Sequence, residues 1–336
     1  MRNFLMPWRL LIAAFLLSFS TCTGPEAEVG PPPPSHSPGI LRIMTWNVSL
    51  REFIRENRAR EVIRAILVAR PHIVAFQEMT PEYYRLLEKD PGFSAIYRLV
   101  PGKAAHIKGR LVIASRIPVI SNRFYNLPGR MGRYAQQTEF YMELPSTQSG
   151  TGSPSENAHS GSSSDSNARG ESGNPTDSQT IRFSTINLHL ESYLQDGPIR
   201  ARQLQSIRSR LQGPTIVLGD FNFGDGPEAI TERNALPEGY RDLWKEKHGS
   251  RPGLTWNQEE NPLSYWFRFE GEHSRRLDYI LLYENSWQLG DVFLYGREKV
   301  LTYRGKEIPA SDHYAVVADL LLTSPLKDKG QEVSER

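Results

Sequence analysis

The 336-residue chain contains a single cysteine. That excludes an intrachain disulfide framework and any zinc site built from several thiolates. There is no surplus of charge either: 40 Lys and Arg stand against 38 Asp and Glu, a formal net charge of +2. This excludes a strongly basic protein that wraps nucleic acid and an acidic disordered tail. No apolar run is long enough to span a bilayer. The longest, Leu10 to Phe19, would rise only ~15 Å as a helix. No internal repeat is visible. What remains, 38% hydrophobic and 23% charged residues, suits a globular chain with a real core and some polar extra sequence.

Three stretches fall outside that core. Residues 1–21 place Arg2 and Arg9 ahead of the apolar run, the layout of a secretory signal peptide. The only cysteine, Cys22, follows at once in Phe19-Ser-Thr-Cys22, which resembles a bacterial lipoprotein signal in which that cysteine is lipidated. An ordinary secretory signal with an incidental cysteine is the alternative. Loss of residues 1–21 removes two arginines and takes the formal charge from +2 to about zero. Residues 22–39, with Pro31-Pro-Pro-Pro34, read as a stiff tether holding a domain off a membrane. Residues 146–179 are rich in Ser, Gly and Asn with no large apolar side chain. They cannot bury enough surface to offset their ordering entropy, so a disordered insertion at a hairpin tip is expected. The tail, 324–336, is charged.

Between 40 and 323 the pattern alternates between strands and helices. Strands are expected at 41–47, 73–78, 111–115, 138–144, 181–189, 215–219, 276–283 and 314–322. Helices are expected at 53–69, closed by Pro71, at 81–88 and at 198–211. Chemical motifs lie on both sides of the insertion, so one large α/β domain is expected.

Polar clusters follow these strands: Thr45-Trp-Asn47, Gln77-Glu78, Asn187-Leu-His189, Gly219-Asp-Phe-Asn222 and Ser311-Asp-His313, with Arg276-Leu-Asp-Tyr279 inside another. Strand ends are where an α/β scaffold presents a site. Glu78 is a hard oxygen ligand for Mg²⁺ or Mn²⁺. Asp220 can position and deprotonate a water. His313, with Asp278 on its other nitrogen, can donate to a phosphoryl oxygen. Asn47, Asn222 and His189 can hydrogen-bond oxygens on which charge develops. Taken singly, each cluster has an ordinary reading: a helix cap, a solvated strand end, or an ion pair of Asp278 with Arg275.

In this order the motifs resemble the endonuclease/exonuclease/phosphatase superfamily from Ile40 to Leu322, insertion excluded. The resemblance implies a four-layer α/β sandwich, two mixed β-sheets face to face with helices outside. It also implies a Mg²⁺- or Mn²⁺-dependent phosphodiesterase or phosphatase. Asn187-Leu-His-Leu-Glu-Ser192, Gly219-Asp-Phe-Asn222, Leu254-Thr-Trp-Asn257 and Arg276-Leu-Asp-Tyr-Ile280 look like the tyrosyl-DNA phosphodiesterase type-2 branch. Carried over residue by residue, the catalytic set is Asn47, His189, Asp220, Asn222, Asp278 and His313. Glu78 and Asp312 are implied for the metal. Trp256 matches a conspicuous tryptophan of the branch, and a core-lining aromatic is its alternative reading. Ser49 stands where the family often has an additional acid, which leaves Glu78 as the main ligand.

Arg130 and Arg133, in Leu-Pro-Gly-Arg-Met-Gly-Arg, are expected to contact substrate from a flexible loop. Arg51, Arg55, Arg58, Arg60 and Arg64 read as a solvated helix face. The expected partner is a phosphodiester, DNA first, met by a monomeric enzyme exported to the cell envelope and lipid-anchored to a bacterial membrane. The alternatives are a phospholipid or sphingomyelin phosphodiesterase or phosphatase and, in a different class, a non-catalytic envelope binding protein.

Overall fold

Two six-stranded sheets dominate the computed structural model, which describes residues 39–143, 180–283 and 287–322. The predicted signal with Cys22, nearly all of the tether, the insertion and the tail lie outside the described residues. The described residues all belong to one compact unit, Pro31–Arg336. The first sheet runs β11 (Trp287–Tyr295), β14 (Ala315–Leu322), β1 (Ile40–Asn47), β2 (Ile73–Gln77), β4 (Val112–Ser115), β3 (Arg98–Val100). The second runs β5 (Val119–Asn126), β6 (Tyr134–Glu143), β7 (Thr180–His189), β8 (Thr215–Asp220), β10 (Asp278–Tyr283), β9 (Tyr240–Asp242). A separate hairpin pairs β12 (Leu301–Tyr303) with β13 (Lys306–Ile308). The helices are α1 (Arg55–Ala69), α2 (Pro81–Lys89), α3 (Pro91–Ile96), α4 (Gly197–Ile207), α5 (Ile230–Ala235), α6 (Leu243–His248) and α7 (Pro262–Phe267). Among the described residues, no helix is long and apolar enough to cross a membrane.

Strand alternation builds the layers. Leu41 and Ile43 of β1, Ile73 and Ala75 of β2, Ile216 and Leu218 of β8, and Ile280 and Leu282 of β10 pack together between the sheets. The opposite parity faces the helices. Met44, Trp46, Val74 and Phe76 meet Val62, Ile63 and Ile66 of α1. Ile186, Leu188, Val217 and Leu281 meet Ala201, Leu204 and Ile207 of α4. The result is the four-layer α/β sandwich. Each fully buried large apolar side chain contributes ~1.5–3 kcal/mol. The exposed Glu61–Arg64 pair on α1, 2.8 Å apart, contributes ~0.3–0.5 kcal/mol. Core burial, not surface pairing, holds the helices down.

One expectation about α1 is corrected. Arg58 is fully buried rather than part of a solvated face. Its guanidinium donates to the carbonyls of Val48 (2.5 Å), Ser49 (2.8 Å), Ala310 (3.1 Å) and Arg51 (3.3 Å). It ties together two loops that carry polar residues of the cleft described next.

Candidate active site

The layer between the sheets changes character along the strands. In β1 the inward parity reads Leu41, Ile43, Thr45, Asn47; in β2, Ile73, Ala75, Gln77; in β8, Ile216, Leu218, Asp220. At one end of the sandwich the apolar fill gives way to polar side chains, and the layer opens there as a cleft of about 810 Å³. Register brings these ends together. Asn47 pairs with Gln77 across parallel strands, and Asp220 is flanked by His189 of β7 and Asp278 of β10.

Asp220 sits at the centre. Asn47 Nδ2 donates to its Oδ2 at 2.9 Å, and the Asn222 backbone N–H donates to its Oδ1 at 2.9 Å. Burial pushes its carboxyl up, the facing His313 opposes that, and nearby Asp278 pushes it up again; the net direction is upward. The preceding Gly219 has φ 139°, and a Cβ there would lie 2.0 Å from the Leu188 carbonyl oxygen. Only glycine allows β8 to approach β7 this closely. Asn222 itself adopts a left-handed backbone (φ 56°), as do Glu78 (φ 60°) and Ser49 (φ 59°). Such conformations cost of order 1 kcal/mol or more each and persist where surrounding structure enforces them.

Two buried imidazoles flank Asp220. His313 Nδ1 lies 2.8 Å from Asp278 Oδ2, while its Nε2 is 3.9 Å from Asp220 Oδ2. A carboxylate only accepts, so Nδ1 carries a proton. Burial alone would lower the His313 pKa, but Asp278 and Asp220 together outweigh it and the net shift is upward. The Trp256 ring packs 5.0 Å from the His313 ring, and its buried Nε1 has no hydrogen-bond partner among the described residues. His189 is the opposite case. Its Nδ1 lies 2.7 Å from Arg133 Nη1, and its Nε2 is 3.4 Å from Asp220 Oδ2. A guanidinium only donates, so Nδ1 must hold a lone pair and the proton sits on Nε2. Burial first, then Arg133 and His313, drives the His189 pKa well below its ordinary value. His189 is neutral and presents Nε2–H towards Asp220.

Across the cleft, Glu78 stands just past the end of β2. Its Oε2 accepts from the Leu50 backbone N–H at 2.7 Å. Burial raises its pKa, and the nearby Asp312 carboxylate raises it further. Ser49 Oγ donates to Asp312 Oδ2 at 3.0 Å, and Ser311 Oγ donates to Oδ1 at 3.2 Å. Two hard oxygen donors that repel each other at the cleft wall fit a divalent cation, which would relieve that repulsion. Another set of ligand-type atoms also exists: Asp220, Asp278 and His313 each bring one within 4.8 Å of the others. There the His313 Nδ1 is already engaged by Asp278, so that ring nitrogen is not free for an ion. Glu78 and Asp312 remain the pair better suited to an ion.

The structure places the remaining expected residues as follows. Glu78, His189, Asp220, Asn222, Trp256, Asp312, His313 and Arg133 line the cleft; Asn47 and Asp278 stand behind Asp220 and His313. Arg133 reaches the cleft through His189 and Ser192. Arg130 does not line it. Its guanidinium, two-thirds exposed, pairs with Asp196, and its backbone N–H donates to Glu191 Oε1 at 2.7 Å. Sequence reading missed three supports. Thr255 Oγ1 accepts the N–H groups of Leu277 (2.9 Å) and Asp278 (3.1 Å), fixing the start of β10. Buried Glu191 accepts the N–H groups of Arg130 and Met131 and so holds the Gly-rich loop. Arg110, exposed, lines the cleft beside Met79. The Thr255 and Glu191 roles had a signal in the sequence, Leu-Thr-Trp-Asn and His-Leu-Glu-Ser, but their partners did not.

Solved structures share the fold. A humanised D. rerio TDP2 carrying 14 mutations superposes with a TM-score of 0.59 at 19% identity, covering 84% of this chain and 99% of that one. D. rerio TDP2 complexed with a single-strand DNA product gives a TM-score of 0.58 at 19% identity, covering 84% and 98%. Beta toxin from Staphylococcus aureus gives 0.57 at 16% identity, covering 83% and 99%. No curated protein shows a sequence match to the chain. The model of the Endonuclease/Exonuclease/phosphatase family matches residues 44–313. With that match spanning the whole constellation from Asn47 to His313, the chain belongs to the Endonuclease/Exonuclease/phosphatase family, whose members are hydrolases of phosphoester bonds.

Proposed function

We propose that the chain is a divalent-metal-dependent phosphodiesterase that cleaves nucleic acid, with DNA or a 5′-phosphotyrosyl DNA end as the favoured substrate. The observation that carries this reading is the surround of Asp220. One carboxylate is gripped by Asn47 and the Asn222 N–H, flanked by two imidazoles of opposite proton arrangement, and open to a cleft walled by Glu78 and Asp312.

The residues divide the work. Asp220, with its raised affinity for a proton, accepts one from an attacking water; a positioned base of this kind contributes ~10²–10⁴-fold. Asn47 and the Asn222 N–H aim the carboxylate. His313, its Nδ1 proton held by Asp278, directs Nε2 at a phosphoryl oxygen, and the neutral His189 Nε2–H donates from the other side. A cation held by Glu78 and Asp312 would neutralise charge on the phosphoryl group. Nucleic acid as the substrate class is supported by the guanidiniums of Arg51, Arg110 and Arg133 along the cleft, by Trp256 and Phe269 in its lining, and by the DNA product bound to a protein of the same fold. Export to the cell envelope, with Cys22 as the lipidated residue, belongs to the same proposal and rests on the N-terminal sequence alone.

The test is a substrate panel on the full-length chain with Mg²⁺, Mn²⁺ or EDTA: single- and double-stranded DNA, 5′-phosphotyrosyl DNA, RNA, sphingomyelin and bis-p-nitrophenyl phosphate. Metal-dependent cleavage of DNA or its phosphotyrosyl end, lost in Asp220→Asn, is expected. Cleavage confined to sphingomyelin would overturn the nucleic-acid reading, and no cleavage of any substrate would leave a binding protein.

A further inference from the structure

A second concavity, of about 510 Å³, lies between α7 and the β12–β13 hairpin. Its walls are aromatic. Phe53 packs 5.5 Å from Phe267 and 4.8 Å from Tyr303, and Trp266 lies 6.3 Å from Tyr303. Rings gathered only to stabilise a loop would be covered, yet Tyr265 is 51% and Trp266 37% exposed. A guanidinium lies over one face of two of the rings: Arg268 3.8 Å over Tyr265 and Arg304 5.2 Å over Tyr303. No carboxylate lines the concavity among the described residues. It adjoins the cleft, because Phe267 lines both and Arg51, a cleft residue, stacks 4.8 Å over Phe267.

We propose that this groove is a subsite for an unpaired nucleotide of a single-stranded nucleic acid whose scissile phosphate occupies the cleft. The proposal rests on the nucleic-acid reading of that cleft. A nucleobase is flat and offers a π-face to Trp266, Tyr265 or Tyr303, while the phosphate beside it meets Arg304 or Arg268. Because every base has such a face, the subsite is tolerant of sequence and selective for a free strand. A lipid surface fits less well. Insertion calls for a protruding apolar tip, whereas these rings wall a concavity and each of two carries a guanidinium.

The experiment measures binding of labelled oligothymidylates, two to ten nucleotides long, to the full-length chain in EDTA, alongside Trp266→Ala, Tyr303→Ala and Arg304→Glu. Turnover of bis-p-nitrophenyl phosphate with metal serves as the control. The wild type is expected to bind more tightly with length up to the point where the strand fills the groove. Trp266→Ala or Tyr303→Ala should weaken the longer oligomers about tenfold, leaving the dinucleotide and the small substrate unchanged. Arg304→Glu should reduce the salt dependence of binding to the longer strands. Length-independent binding, or variants that bind all lengths like wild type, would overturn the subsite while leaving DNA cleavage in place. Variants that lose only phosphatidylglycerol-vesicle binding would make it a membrane surface instead. A wild type that hydrolyses the small diester but neither binds nor cleaves oligonucleotides would remove the nucleic-acid reading and this subsite together.

Discussion

The two sides of Asp220 share burial and differ in everything else. His189 is 2% and His313 5% exposed, so desolvation disfavours the charged form of both. On one side a guanidinium donates to Nδ1 and keeps the ring neutral; on the other a carboxylate accepts from Nδ1 and favours the imidazolium. Burial sets how strongly a partner is felt, and the partner's sign decides the proton. The site is therefore asymmetric about its central carboxylate.

The largest blow to that comparison removes its centre. Asp220→Asn should lower kcat by ~10³ or more without loss of fold, since the amide keeps the shape but cannot take a proton; single-turnover kinetics with far-UV circular dichroism checks both. Next comes Asp278→Asn, expected to cost ~10²–10³ in kcat. The raised His313 pKa keeps the ring protonated through neutral pH, so activity is lost only as pH rises through that value. Without Asp278 the alkaline limb of the pH profile should move to lower pH. Arg133→Met attacks the other side. It frees His189 to take either tautomer and should cost ~10–100-fold in kcat with a smaller change in KM. Arg133→Lys retains a donor but not its fork and should fall between.

The smallest effect carries the same logic away from the site. His72 Nδ1 accepts the Arg42 backbone N–H at 2.9 Å, and burial, then Arg116, lowers its pKa to about 4. The folded state thus resists a proton that the unfolded chain accepts. Well above pH 6.5 His72 is neutral in both states and contributes no pH dependence. As pH falls from about 6.5 towards 4 stability should decline, by about 2–3 kcal/mol in all. Urea unfolding at several pH values would show that slope, and His72→Gln should flatten it.

Much of this was legible in the primary structure, for physical reasons that also mark where legibility ends. β1, β2 and β8 are buried on both faces and read as largely apolar runs ending in polar residues, and β7 alternates Ile181 and Phe183 with Arg182 and Ser184 before its polar end, so both the strands and the clusters at their ends stand out. β5 and β11 do not. β5 buries none of its side chains fully, and β11 shifts register between Leu289 and Asp291, where Gly290 interrupts the alternation. The short helices α5, α6 and α7 span six residues each, too few for a helical period to declare itself. Residue types announced the chemistry of Glu78, Asp220 and His313. They could not announce that Arg58 is buried against Ala310, 252 positions away, or that Arg133 sets the proton on His189, 56 positions away. A charge on a helix or a loop looks solvated until the partner that desolvates it is known.

The most direct test of the asymmetry is ¹⁵N imidazole NMR on the metal-free full-length chain at neutral pH, with His189→Gln and His313→Gln used for assignment. His189 should be neutral with its proton on Nε2, and His313 should carry its proton on Nδ1 with the second ring nitrogen protonated as well. Matching tautomers and charge on the two rings, or a proton on His189 Nδ1, would contradict the account.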